Sequence, residues 1–125
     1  RKLTRREEDD VTFGFEIARE VSRLDIGQTV IVKNGTVLAV EGFEGTNEAI
    51  TRGGALGGKN AIMIKVAKPN QDMRFDVPVI GVATLEVATE AHLRVVAIEA
   101  GRTLLLEKAE LIESAERSNI SIVAR

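Results

Sequence analysis

Apolar residues recur along this chain with two different periods, and the switches between them mark out the elements. From residue 10 to residue 24, Phe13, Ile17, Val21 and Leu24 fall at helical spacing, with Phe15 and Ala18 alongside. That pattern predicts an amphipathic helix, with Asp9 or Asp10 as its cap. The next two apolar runs, 29–33 and 36–40, are β-branched and nearly continuous, and Asn34-Gly35 joins them. Two such runs around Asn-Gly predict a tight type I′ hairpin of strands buried on both faces. Residues 46–52 predict the start of a short helix capped by Thr46. The glycine run 53–58 reads as a flexible connection, and residues 60–66 as a third strand. Residues 67–78 are polar and bracketed by Pro69 and Pro78, hence a loop. Val79-Ile80 reads as a short strand, and Thr84 as the cap of a helix reaching about Ala91. Residues 94–98 and 103–106 read as strands, 107–117 as a helix with Leu111, Ile112 and Ala115 on one face, and 120–123 as a last strand. A hairpin followed by alternating helices and strands predicts a single α/β domain: a mixed β-sheet with helices on its faces.

Composition narrows the chemistry. A chain of 125 residues is the length of one domain, and it opens on Arg1 rather than Met, which points to a piece of a longer protein. No apolar run approaches the ~20 residues that span a bilayer, and no signal peptide is visible. Net charge is -2, Trp and Tyr are absent, and the basic residues at 1–6 run straight into Glu7–Asp10. Without a basic stripe or stacking aromatics, nucleic acid is a poor partner. The absence of cysteine excludes disulfides, thiolate metal sites and Cys nucleophiles. The single histidine, His92, reads as a residue at a helix C-terminus, where it complements the dipole.

Three segments carry candidate chemistry. Residues 53–59 have the spacing of a phosphate-binding loop, but Asn60 stands where Ser or Thr is needed, and a strand follows where a helix should. The stretch 41–47, Glu-Gly-Phe-Glu-Gly-Thr-Asn, leads from a strand into a helix N-terminus, where unpaired N–H groups and the dipole favour a phosphate. A plain turn with a Thr cap is the equal alternative. The densest segment is 68–78, in which Lys68, Asp72, Arg74 and Asp76 place two carboxylates beside two cations. Mg²⁺ takes one or two carboxylates plus substrate phosphates, and the cations suit charge on a phosphoryl group. On its own such a segment is more often a solvated loop.

Taken in order, these strings resemble a known family. Asp25-Ile26-Gly27-Gln28, Ala39-Val40-Glu41, Glu44-Gly45-Thr46, Arg52-Gly53-Gly54, Lys65, Lys68-Pro69, Gln71-Asp72-x-Arg74-x-Asp76-x-Pro78-x-x-Gly81-x-x-Thr84, Glu99-Ala100-Gly101 and Thr103-Leu104-Leu105 together look like the C-terminal domain of LpxI-type UDP-2,3-diacylglucosamine pyrophosphatases. The resemblance implies a catalytic domain over 11–125 behind a charged segment or linker at 1–10. It implies hydrolysis of the pyrophosphate of UDP-2,3-diacylglucosamine to lipid X and UMP in lipid A biosynthesis. The cofactor would be Mg²⁺, the location cytoplasmic with at most peripheral membrane contact, and the ligand would lie against an N-terminal domain of the parent chain.

Carried over by position, Asp72, Asp76 and Glu44 are the candidate catalytic acids, with Asp72 and Asp76 on the metal. Gln28, Gly45, Thr46, Asn47, Arg52, Lys68, Gln71 and Arg74 are the candidate substrate contacts. Asn47 departs from the family's usual Asp, which removes any base at that position. A non-catalytic module binding a nucleotide-linked sugar or lipid, and a structural domain mediating homo-oligomers, are the competing readings.

Overall fold

The computed structural model describes residues 2–69 and 78–125. Helix α1 (Arg5–Arg23) starts earlier than the apolar period suggests. Its N-cap is Thr4, whose hydroxyl accepts from the Glu7 amide at 3.1 Å while the Glu7 carboxylate accepts from the Thr4 amide at 2.8 Å. This reciprocal capping box lets the charged residues 5–10 form helical turns rather than a linker. Asp10, read as a cap, is instead buried inside the helix and turned to the hairpin, where its carboxylate accepts from Asn34 N (2.9 Å) and Gly35 N (2.8 Å).

That hairpin joins β1 (Thr29–Lys33) to β2 (Thr36–Val40), and both turn residues have positive φ, 52° at Asn34 and 72° at Gly35. β1 is buried on both faces as expected, whereas β2 forms a half-buried edge of the sheet. β1 also pairs antiparallel with β3 (Ile62–Lys65), and β5 (Val95–Ile98) and β7 (Ser121–Ala124) continue the sheet in parallel, giving the order β2-β1-β3-β5-β7. β4 (Val79–Ile80) stands outside this sheet and pairs in parallel with β6 (Leu104–Leu105).

α1 covers one face, packing Val11, Phe15 and Ala18 on Val30, Val32, Ile62, Ile64 and Val95. The other face takes α2 (Thr46–Gly57), α3 (Val82–Glu90) and α4 (Lys108–Arg117), which bring Ile50, Leu85, Ala88, Leu111 and Ala115 onto Ile31, Met63 and Val96. The mixed α/β sheet with helices on both faces is therefore the architecture that the alternation predicts.

The glycine run is not a flexible connection. Residues 53–57 are the last turns of α2. A Cβ at Gly53 would lie 2.6 Å from Ile31 Cβ, and one at Gly54 2.6 Å from Ala91 Cβ. These glycines let the helix lie close on β1 and α3, and that contact outweighs their low helix propensity. The N-caps of α2 and α3 are Gly45 and Gly81, not Thr46 and Thr84.

Three helices end with a non-glycine residue in the left-handed region: Asp25 after α1, His92 after α3 and Asn119 after α4, with φ of 58°, 59° and 57°. Each closes a paired end motif; after α1, Ile26 N donates to Val21 O (3.0 Å) and Asp25 N to Ser22 O (3.0 Å). Asp25, one residue past the C-cap Leu24, therefore closes the end of the first helix.

Candidate functional site at the strand ends

β3, β5 and β7 are parallel, so their C-terminal ends face one way. The antiparallel hairpin brings the start of β1 and the end of β2 to the same edge, with Thr29 paired to Lys65 and Val30 to Val40. In open α/β sheets this edge is where ligands bind. It gathers Gln28, Glu41, Glu44, Gly45, Thr46, Arg52, Lys65, Lys68 and Glu99 from five parts of the sequence.

Glu41, just beyond β2, organises one side. Its Oε1 accepts from the Gln28 amide at 3.2 Å and, more weakly, from the Thr46 hydroxyl at 3.5 Å. Gly27 makes this approach possible, since a Cβ there would sit 2.1 Å from the Glu41 carbonyl oxygen. Buried Thr29 meets Thr46 hydroxyl to hydroxyl at 3.2 Å, which fixes the first residue of α2 on the sheet. The N-cap, Gly45, has φ 92° and no side chain to cap the helix, so the first-turn N–H groups have no cap hydrogen bond.

Glu44 and Arg52 form a bridge at 2.6 Å, and Arg52 also donates to Val40 O at 3.0 Å. Arg52, and after it the Gly42 N–H, hold the Glu44 carboxyl below its ordinary range. The pair staples the 41–45 turn to α2. Asn47 is exposed in the first turn of that helix.

The other side is built where β3 runs out. Val66 N donates to Gln28 O (2.9 Å), and the Gln28 side-chain amide returns a bond to Val66 O (3.0 Å). Ala67 is clamped twice: its N–H donates to Glu99 at 2.7 Å, and its carbonyl accepts from the Ser22 hydroxyl at 3.1 Å. Lys68 lies 3.4 Å from Asp25. A cleft of about 360 Å³, lined by residues that include Arg19, Pro69, Glu99 and Arg102, opens beside this clamp on the α1 side.

Lys65 ends the central strand. Burial pulls its ammonium below the usual lysine range, and the charge of Glu41 partly opposes that.

Gln28, Glu44, Gly45, Thr46, Arg52 and Lys68 are thus brought to one edge. Gln71, Asp72, Arg74 and Asp76 lie outside the described residues. Glu41, Lys65 and Glu99, absent from the expected site set, stand at the same edge. The signal was present for all three, as a charged residue ending or following an apolar strand run. Among the described residues, no three His, Asp or Glu side chains group to hold a metal, and no helix is long and apolar enough to cross a membrane.

The LpxI C-terminal domain matches residues 1–123. The UDP-2,3-diacylglucosamine pyrophosphatase LpxI of Caulobacter vibrioides is 38% identical over 115 residues, covering 86% of this chain and 41% of that protein. The chain thus spans about two fifths of its relative's length, and it belongs to the LpxI C-terminal domain family.

Proposed function

We propose that this chain is the catalytic domain of a Mg²⁺-dependent hydrolase that cleaves the pyrophosphate of UDP-2,3-diacylglucosamine to lipid X and UMP. The reaction would run in the cytoplasm, with an N-terminal domain of the parent chain as the other wall of the site. The observation that carries this reading is the convergence of acids and cations with an uncapped helix N-terminus at the strand ends, in a member of this family. Phosphoryl transfer needs positioning and charge neutralisation more than covalent chemistry. A site with neither cysteine nor an adjacent histidine suits that need.

Each residue then has a part. Gly45 and Thr46 present the start of α2 to phosphate oxygens, with the Glu44–Arg52 pair holding the turn in place. Gln28 and Asn47 flank that turn. Lys68, Arg74 and Gln71 bind the anionic ligand, and Asp72 orients the attacking water. By the resemblance the metal-holding acids are Asp72 and Asp76, within the one or two carboxylates that Mg²⁺ usually takes, and Glu44, engaged by Arg52, is the third candidate acid. When bound, Mg²⁺ polarises the phosphoryl group and neutralises its charge.

The test uses the full-length parent protein with UDP-2,3-diacylglucosamine and Mg²⁺, with and without EDTA, beside its Asp72→Ala variant. Products are read by mass spectrometry in ¹⁸O water. Lipid X and UMP that disappear with EDTA and in the variant support the reading. Tight binding without turnover in the wild type would replace it with the non-catalytic module, and absence of both would overturn it.

A further inference from the structure

Lys65 is hard to explain as a packing residue. It closes β3, whose preceding residues Ile62, Met63 and Ile64 are all buried. An ammonium has three donors and no acceptor. Among the described residues, that of Lys65 has one long hydrogen bond, 3.4 Å to Val79 O, and no carboxylate within 4 Å. Of the acids at the edge, Glu44 is engaged by Arg52 (2.6 Å) and Glu99 by the Ala67 amide (2.7 Å), while Glu41 favours the Lys65 charge without a direct ion pair. Partial desolvation disfavours the charge of such an ammonium, and a nearby anion offsets that cost.

Its position says which anion. Lys65 is the register partner of Thr29, whose hydroxyl meets Thr46 in the first turn of α2. The carbonyl it touches belongs to Val79, two residues before Gly81, the N-cap of α3. Lys65 therefore lies across the ladder from the strand residue that holds the start of α2, and its ammonium reaches the segment that leads into α3. A cation at this edge, beside the strand that holds the start of α2, matches a group carrying several anionic oxygens. Uncharged sugar hydroxyls or an acyl chain would leave that ammonium unmatched.

We propose that Lys65 contacts the diphosphate of the substrate directly and is the cation that stabilises its charge during cleavage. This rests on the reading of the strand-end site given above, and it adds a residue that reading does not assign.

The full-length parent protein, as wild type, Lys65→Met and Lys65→Arg, would be titrated with UDP and with uridine, and assayed for turnover of UDP-2,3-diacylglucosamine. Lys65→Met should weaken UDP binding about tenfold or more while leaving uridine binding unchanged. It should also lower kcat/KM on the order of 10²–10³-fold, as for loss of one transition-state donor. Lys65→Arg should recover part of both. The melting temperature of Lys65→Met should equal or exceed that of the wild type, since a poorly paired half-buried charge has gone; a structural lysine would lower it.

Equal UDP affinity in wild type and Lys65→Met, with turnover intact, would overturn the proposal and leave the hydrolase reading standing. Lysine-dependent UDP binding without any turnover would support the diphosphate contact while the hydrolase reading fails. A wild type that binds no UDP overturns both.

Discussion

Glu44 shows how one residue can be a good candidate by type and a different thing by geometry. As an acid beside Gly45 and Thr46 it invites a catalytic role, yet its carboxylate is held by Arg52 at 2.6 Å and by the Gly42 amide at 3.2 Å. Both favour the charged form, so its folded pKa lies below the ordinary 4.5. The contribution to stability is then present above the unfolded pKa and lost as pH falls through the folded one. Arg52→Ala should raise the pKa of Glu44 toward 4.5 and leave only the part due to Gly42, as read by NMR titration of the Glu44 side-chain carboxyl carbon. An unchanged value would show that Arg52 does not hold this turn.

Legibility at this scale divides by range. His92 was read as a residue at a helix C-terminus, and it stands there, one residue past the cap of α3, in the left-handed region. Asn34-Gly35 forms the turn its identity demands. These signals lie within a few residues of their effect. Glu41, Lys65 and Glu99 take their meaning from partners that register and folding bring to them, such as Thr29 opposite Lys65 across the β1–β3 ladder. Local pattern marks them as charged residues at the ends of strand runs, but it holds no trace of that pairing, which only the folded register supplies.

Among the elements, α2 departs most from its sequence. Gly53, Gly54 and Gly57 each disfavour helix by about 1 kcal/mol relative to alanine, which is why the run read as a connection. They are tolerated in the helix because Ile31 of β1, Ala91 at the end of α3 and Leu38 of β2 lie against Gly53, Gly54 and Gly57 too closely for a side chain. Lys33 adds a hydrogen bond from its ammonium to Gly57 O at 2.7 Å, which takes up a carbonyl of the last turn. The same helix presents Gly45 and Thr46 at its other end, so packing at the glycines sets where the candidate phosphate end sits. Gly53→Val should therefore act twice. Overpacking against Ile31 should destabilise the fold by about 1–3 kcal/mol, seen as a lower denaturation midpoint. Displacement of α2 should also weaken UDP binding in the folded protein. A variant that loses neither would show that α2 can shift without moving the strand-end site.

For the whole molecule, the question is how much of the proposed activity this chain holds by itself. Both faces of its sheet are covered by its own helices, with Val30, Ile31, Val32, Met63 and Ile64 fully buried, so its core is complete without a further domain. The strand-end edge is different. Phe43 is fully exposed at the tip of the 41–45 turn, and Leu24 and Ile26 are about half exposed in the turn that leads to Gln28. The relative that matches this chain is more than twice as long. A site that finishes at an edge with apolar residues around it gains water exclusion only when something closes over it, and electrostatic stabilisation of a transition state is worth most where water is excluded. Folding and catalysis should then separate. The isolated 125-residue chain should unfold in a single cooperative transition and bind UDP through the strand-end groups. Its kcat/KM on UDP-2,3-diacylglucosamine should be lower than that of the parent protein by about 10²-fold or more. Calorimetry, titration and a turnover assay on the two proteins side by side decide it. Equal kcat/KM would place every group the reaction needs within these residues and leave the rest of the parent a role outside catalysis. A chain that fails to fold alone would show that the parent completes the core as well as the site.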